Sequence, residues 1–168
     1  MRIPEPFFAI INPTVRFLLR SPIHGLWSKS LMLITFTGRK TQRIYTTPVR
    51  YLQRSDAVWA FTSAENKWWR NLKGGATVSL RIRGKDGPYR AEAIADAPGQ
   101  VRGALGVFLS HFPQDAPYYD ISLGPDRRPS ERDLDKASTK TVWVKAHPQR
   151  RVALTPDVEL FEKGVPGR

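Results

Sequence analysis

Residues 31 to 52 read LMLITFTGRKTQRIYTTPVRYL. The apolar run Leu31 to Phe36, with its β-branched and aromatic members, has the pattern of a strand buried on both faces. Thr37 to Arg43 connects it to a second strand, Ile44 to Leu52. Pro48 inside that strand demands an edge position or a bulge, because proline has no N–H to give to a ladder. Working outward, Ala57 to Thr62 is a third strand. Ala76 to Arg83 is a fourth, with Val78, Leu80 and Ile82 on one side and Thr77, Ser79, Arg81 and Arg83 on the other. Gly84, Lys85, Asp86 and Gly87 are expected to form a hairpin turn into Tyr89 to Ala95, where Ala91 and Ala93 oppose Arg90 and Glu92. Thr139 to Lys145 supplies a last strand.

Helices interrupt the strands. One is expected near Glu65 to Lys73, carrying Trp68, Trp69 and Leu72 and ending at Gly74 and Gly75. Another runs from about Pro98 to His111, with Val101, Leu105, Phe108 and Leu109 at helical spacing. Phe112 to Ala137, with four prolines and mixed charge, is expected to be mostly loop. Near the N-terminus Asn12 and Pro13 start a short basic amphipathic helix, about 12–21, which Ser21 and Pro22 end. It reads either as a cap across a barrel mouth or as a membrane-surface anchor. The tail, about 147–168, is loosely patterned. Mostly antiparallel strands with inserted helices predict a mainly β, α+β domain over 1–168, built as a small closed or split β-barrel.

Charge narrows the partners. The 168 residues hold 27 Lys and Arg against 15 Asp and Glu, a formal +12. No acidic residue falls between Glu5 and Asp56, whereas Arg16, Arg20, Lys29, Arg39, Lys40, Arg43, Arg50 and Arg54 do. The partner is therefore expected to be an anion, concentrated on the first third of the chain. Without cysteine, disulfides and thiolate chemistry are excluded, and zinc would depend on three histidines and carboxylates. The longest apolar run falls far short of the roughly 18 residues of a membrane span. The opening MRIPEPFF lacks the pattern of a signal peptide, so a cytoplasmic location is expected, with peripheral membrane contact as an alternative.

The catalytic inventory is thin. His24, His111 and His147 are scattered, no GxSxG elbow is present, and no carboxylate pair sits in an apolar setting. Triad hydrolysis, metal-assisted hydrolysis and glycosidase chemistry lack their equipment. If the chain is an enzyme, a bound cofactor does the chemistry.

Two segments hold candidate binding residues. In TGRKTQRIYTTP, Thr37 to Pro48, Gly38 permits close backbone approach. Arg39, Lys40 and Arg43 supply cationic donors, and Thr41, Thr46 and Thr47 supply hydroxyls suited to phosphate oxygens. Such a hairpin serves either as an anion clamp or as a solvated turn. It is not a P-loop, since the GxxxxGK[ST] spacing and the following helix are missing. In KWWRNLKGG, Lys67 to Gly75, adjacent tryptophans on a short helix cannot both face the core. One is left to cover a planar ligand or a partner, or to pack in a second layer, with Arg70 and Asn71 beside it.

In order along the chain, TGRKTQRIYTTP, the strand ending in Phe61, Thr62 and Ser63, WWRNL, and TVSLRIRG resemble the deazaflavin-dependent nitroreductase family of split β-barrel, FMN-binding-like oxidoreductases. The likeness covers about Asn12 to Ala95. It implies coenzyme F-420, a deazaflavin with a phosphate and an acidic glutamyl tail, as the cofactor. It also implies hydride transfer to a quinone, nitro compound or activated double bond. On this chain Gly38, Arg39, Lys40, Thr41 and Arg43 would hold the phosphate and tail, and Thr47 and Pro48 would line the ring's strand. Phe61, Thr62 and Ser63 would meet the ring through backbone groups, and Trp68, Trp69 and Asn71 would close that side. Gln42 stands where the family more usually has glycine, and the loop after the third strand is short. Tyr118 and Tyr119 are candidates for substrate contact or for packing at the barrel end. FMN is the alternative cofactor. A non-catalytic carrier and a single-stranded nucleic-acid binder are the alternative functions, the latter disfavoured because the donors gather in one hairpin. The expected partner is a small electron acceptor, with a homodimer as an open possibility.

Overall fold

Six antiparallel strands close into a barrel in the order β1-β2-β3-β6-β5-β4 in the computed structural model, which describes residues 30–149. They are β1 (Leu31–Thr37), β2 (Ile44–Arg54), β3 (Ala57–Ser63), β4 (Ala76–Ile82), β5 (Lys85–Ile94) and β6 (Thr141–Pro148). The expected N-terminal helix and most of the basic tail lie outside the described residues. Met32, Ile34, Phe36, Val58, Val78, Leu80, Val142 and Val144 are buried in the barrel, and Ala60, Ala91, Ala93 and Ala146 keep it narrow. β1 differs from its reading as doubly buried: Met32, Ile34 and Phe36 face the core, while Leu31, Leu33 and Thr35 are half-buried.

The barrel is laddered unevenly. β2 pairs with β1 from Ile44 to Arg50, but with β3 only from Tyr51 to Arg54. β3 continues to Ser63 paired with β6 alone. The early half of β2 and the last residues of β3 therefore part along a seam, which makes this barrel a split one. Pro48 lies in the parted half, opposite Leu33 of β1, the edge position that a residue without an N–H needs.

A second layer covers the outside of β3 and β6. It holds α1 (Pro98–His111), a 3-10 turn (Pro113–Tyr119) and α2 (Glu131–Ser138). Val101, Leu105, Phe108 and Leu109 of α1 pack in one cluster with Leu52, Phe61 and Trp143. α2 corrects the loop expected over Phe112 to Ala137. Only Leu134, Ala137 and Ser138 of its eight residues are buried, too sparse an apolar pattern to announce a helix. Arg102 of α1 pairs with both Glu131 and Asp135, locking the two helices.

Two further boundaries differ. The helix expected at Glu65 to Lys73 is a single 3-10 turn, Trp68–Leu72. The β4–β5 turn is Arg83 and Gly84, at φ +49° and +78°, with Ile82 opposite Lys85. Left-handed backbone at both central residues is the hairpin turn that matches strand twist, so Lys85, Asp86 and Gly87 belong to β5.

Candidate functional site

The basic hairpin between β1 and β2 is a closed loop. Gly38 N donates to Arg43 O at 2.8 Å, and Gln42 N donates to Gly38 O at 2.8 Å. Gly38 is required by contact: a Cβ there would lie 2.6 Å from Thr41 Oγ1 and 2.7 Å from the Tyr45 ring. Gln42 adopts φ +56°, the left-handed conformation that glycine takes most easily, and its Nε2 donates to Arg39 O at 2.9 Å. Thr41 Oγ1 and Tyr45 OH are 3.0 Å apart. Arg39, Lys40, Thr41 and Arg43 are all exposed.

The second segment comes to meet this loop. Asn71 Oδ1 accepts from Arg39 N at 2.9 Å, and Asn71 Nδ2 donates to Trp68 O at 2.9 Å. Arg39 Nη2 also donates to Lys73 O. Phe36 stacks on Tyr45 with ring centres 5.9 Å apart and packs on Trp68 at 6.0 Å. Of the two tryptophans, Trp69 is the core residue. It is buried, its Nε1 donates to Ala64 O at 3.3 Å, and Arg70 and Lys73 lie over its ring. Trp68 is half-buried, packed on Phe36 beneath the hairpin.

Thr47 and Pro48 lie on the parted half of β2, half-buried. Cross-strand register puts Thr47, opposite Ile34, on the interior face and Pro48 on the outer one. Across the seam, Thr62 is buried and accepts from Asn66 Nδ2 at 2.8 Å, while Ser63 Oγ accepts from Glu65 N at 3.2 Å. The Phe61 side chain turns into the outer layer against Phe108, at 4.9 Å between rings. All three side chains are thus engaged internally. Backbone groups are what β3 has left for a ligand, since successive strand residues direct their N–H and C=O to alternate sides and β2 is not there to take them.

Tyr118 and Tyr119 are not brought to the hairpin. Tyr119 packs edge-on to Phe108 in the outer layer, and Tyr118 is 68% exposed. Burial, with the Asp115 carboxylate adding to it, pushes the Tyr119 hydroxyl well above its ordinary pKa, so it keeps its proton. Next to it Arg50 Nε pairs with Asp115 at 2.7 Å, with both side chains mostly buried, and the guanidinium lies 5.1 Å from the centre of the Phe112 ring. The position of Asp115 among the outer-layer aromatics escaped sequence reading, because nothing local ties Arg50 to a residue so far along the chain.

No cluster of histidine and carboxylate residues capable of holding a metal is present among the described residues. Nor does any of their helices have the length and apolarity to cross a membrane. A six-stranded antiparallel barrel parted along one seam is the fold of split-barrel, FMN-binding-like proteins. Solved structures with similar folds include Atu2129 from Agrobacterium tumefaciens (15% identity, 89% of this chain and 58% of that one, TM-score 0.50). An FAD and heme binding protein from Mycobacterium smegmatis (17%, 77% and 66%, TM-score 0.48) and an F420 reductase (11%, 77% and 95%, TM-score 0.43) also match. The chain spans 66% and 58% of the lengths of the Mycobacterium and Agrobacterium proteins respectively. No curated protein matches the sequence. Residues 19–104, just over half the chain, match the model described as F420H(2)-dependent quinone reductase. The chain belongs to that family of oxidoreductases, and its cofactor is coenzyme F-420.

The residues present suit such a cofactor. Among the described residues no carboxylate pairs with Arg39, Lys40 or Arg43, so their charge is left for an outside anion. The matched region contains both the hairpin and the tryptophan turn. It stops within α1, short of Asp115, Tyr118 and Tyr119.

Proposed function

We propose that this protein is a reductase that uses reduced coenzyme F-420 to deliver a hydride to a small acceptor, a quinone, nitro compound or activated double bond. When bound, the deazaflavin supplies the hydride. Arg39, Lys40, Thr41 and Arg43 hold the phosphate and acidic tail, acting as charge-assisted donors on an exposed rim. Thr47 and Pro48 on one side of the seam and the backbone of Phe61, Thr62 and Ser63 on the other hold the ring, while Trp68 walls its end and Trp69 braces that wall. The chain's contribution is to orient donor and acceptor, to exclude water, and to present fixed donors where negative charge develops on the acceptor.

A single observation carries this reading. Two segments far apart in sequence, each able to bind one end of an anionic planar molecule, are fastened together through Asn71 and Arg39 beside the seam. Titration with F-420 and with FMN, followed by tryptophan quenching, tests it, together with oxidation of reduced F-420 by menadione. Tight deazaflavin binding with turnover is expected. Equal or tighter FMN binding would overturn the hairpin as the holder of the acidic tail, and binding without turnover of menadione would place the acceptor in another class.

A further inference from the structure

β2 meets the outer layer in two different ways. Where it pairs with β3 it turns Leu52 outward, into one apolar cluster with Phe61 and Trp143. Two residues earlier it turns out Arg50, between the inward-packed Val49 and Tyr51. Arg50 is the first residue beyond the end of the ladder to β3, and continuing the register from Tyr51 and Ala60 sets it opposite Phe61, where the two strands part. The contact with the outer layer thus changes from apolar to ionic at the apex of the seam. Asp115 lies 2.7 Å from Arg50 Nε, Arg50 Nη1 donates to Ser30 Oγ at 3.0 Å, and the centre of the Phe112 ring is 5.1 Å from the guanidinium. Stability does not explain this choice. The side chains of Arg50 and Asp115 are only 15% and 18% exposed, and burial raises the Asp115 carboxyl more than the guanidinium lowers it. Replacing such a pair by apolar side chains is often neutral or stabilising. What the ion pair supplies, and an apolar contact does not, is a fixed length and direction, held here by Ser30 from the β1 side and by Asp115 and Phe112 from the outer layer.

We propose that the Arg50–Asp115 pair is a tether across the outer side of the seam, which fixes the second 3-10 turn at a set distance from the parted half of β2 and thereby selects the acceptor by its bulk. The inference rests on the functional reading above. A deazaflavin ring seated in the seam has one face against the barrel interior, which buried side chains fill. The acceptor therefore reaches the ring from the outer side, between β2 and the turn that carries Asp115, Tyr118 and Tyr119. An apolar contact at the apex has no preferred length and lets the turn settle onto the parted strand. Held at a set distance, the turn admits flat acceptors and excludes those with bulky substituents. Arg50 and Asp115 are positioning residues, acting through the turn rather than by touching the acceptor.

The test compares the wild type with the double variant Arg50→Met, Asp115→Leu, which exchanges the pair for an apolar contact. For each, the F-420 dissociation constant, the unfolding midpoint, and kcat/KM for a flat quinone, menadione, and a bulky one, 2,6-di-tert-butylbenzoquinone, are measured. The wild type prefers menadione. In the double variant that preference falls several-fold, mainly through KM, while F-420 affinity is unchanged and the unfolding midpoint is at least that of the wild type. Where the double variant unfolds earlier than the wild type, Arg50→Lys, which keeps the charge without the planar fork, decides by the same comparison. A wild type without the preference, a preference that survives in a variant of wild-type stability, or an F-420 affinity that falls along with it overturns this proposal and leaves the functional reading standing. So does a wild type that binds F-420 and reduces neither quinone. A wild type that does not bind F-420 overturns both.

Discussion

Gly38 and Asp115 show how single positions govern the two ends of the seam. Gly38→Ala would press a methyl group onto Thr41 and the Tyr45 ring. Overpacking of this kind costs about 1–3 kcal/mol, and the hairpin opens to relieve it. Urea unfolding should show the loss, and F-420 affinity should fall with it; an alanine variant of unchanged stability and affinity contradicts the tight closure described. The Asp115 carboxyl lies above its ordinary value because burial disfavours the carboxylate more than the Arg50 guanidinium favours it. A carboxyl raised by folding binds its proton more tightly in the native state. Its contribution to stability is present below the unfolded value and is lost as pH rises through the folded one. Asp115→Asn lacks this titration. The stability of the wild type minus that of the variant should therefore decline as pH rises from about 4. A difference that climbs over the same range shows the ion pair dominating burial.

Between elements, the decisive joint is Asn71. It ties the β1–β2 hairpin to the 3-10 turn at Trp68–Leu72 through one bond to each. Removing such bonds at an exposed junction forfeits about 0.5–1.5 kcal/mol apiece. Asn71→Ala should lower the unfolding midpoint by a few degrees and weaken F-420 binding by about 2- to 10-fold, at roughly 1.4 kcal/mol per factor of ten. The effect should be smaller for a tail-less deazaflavin, because the residue positions the Arg39 loop. If both ligands weaken alike, Asn71 acts on the ring instead. Each end of the Asn71 amide makes one bond within the protein.

Over the whole molecule, a net charge of +12, with Arg39, Lys40 and Arg43 exposed on one hairpin, should steer an anionic cofactor electrostatically. Exposed charges are screened once the Debye length contracts to about 3 Å near 1 M salt. F-420 affinity should therefore fall steadily with added chloride, whereas a tail-less deazaflavin should bind almost independently of salt. Equal salt dependence for both ligands would remove the cationic rim from the account. The outer layer has the complementary task. Phe61, inside the region matched by the family, packs on Phe108, which with Phe112 and Tyr119 lies beyond that region and joins the barrel to α1 and the second 3-10 turn.

The strands of the barrel, the edge position of Pro48 and α1 were legible along the chain, because each follows from a local rule: alternation of apolar residues, the missing N–H of proline, the spacing of a helical face. The cationic hairpin and the tryptophan turn were legible as separate pieces for the same reason. α2 was not, since its pattern holds few apolar residues, and the β4–β5 turn was misplaced because Arg83 occupies a left-handed conformation normally signalled by glycine or asparagine. What folding alone settles is which distant groups meet. The parting of β2 from β3 depends on how far each ladder extends. The Asn71 bridge and the pairing of Arg50 with Asp115 depend on barrel closure. Long-range contacts of this kind leave no periodic trace in a single chain, so they emerge only when all six strands are in register.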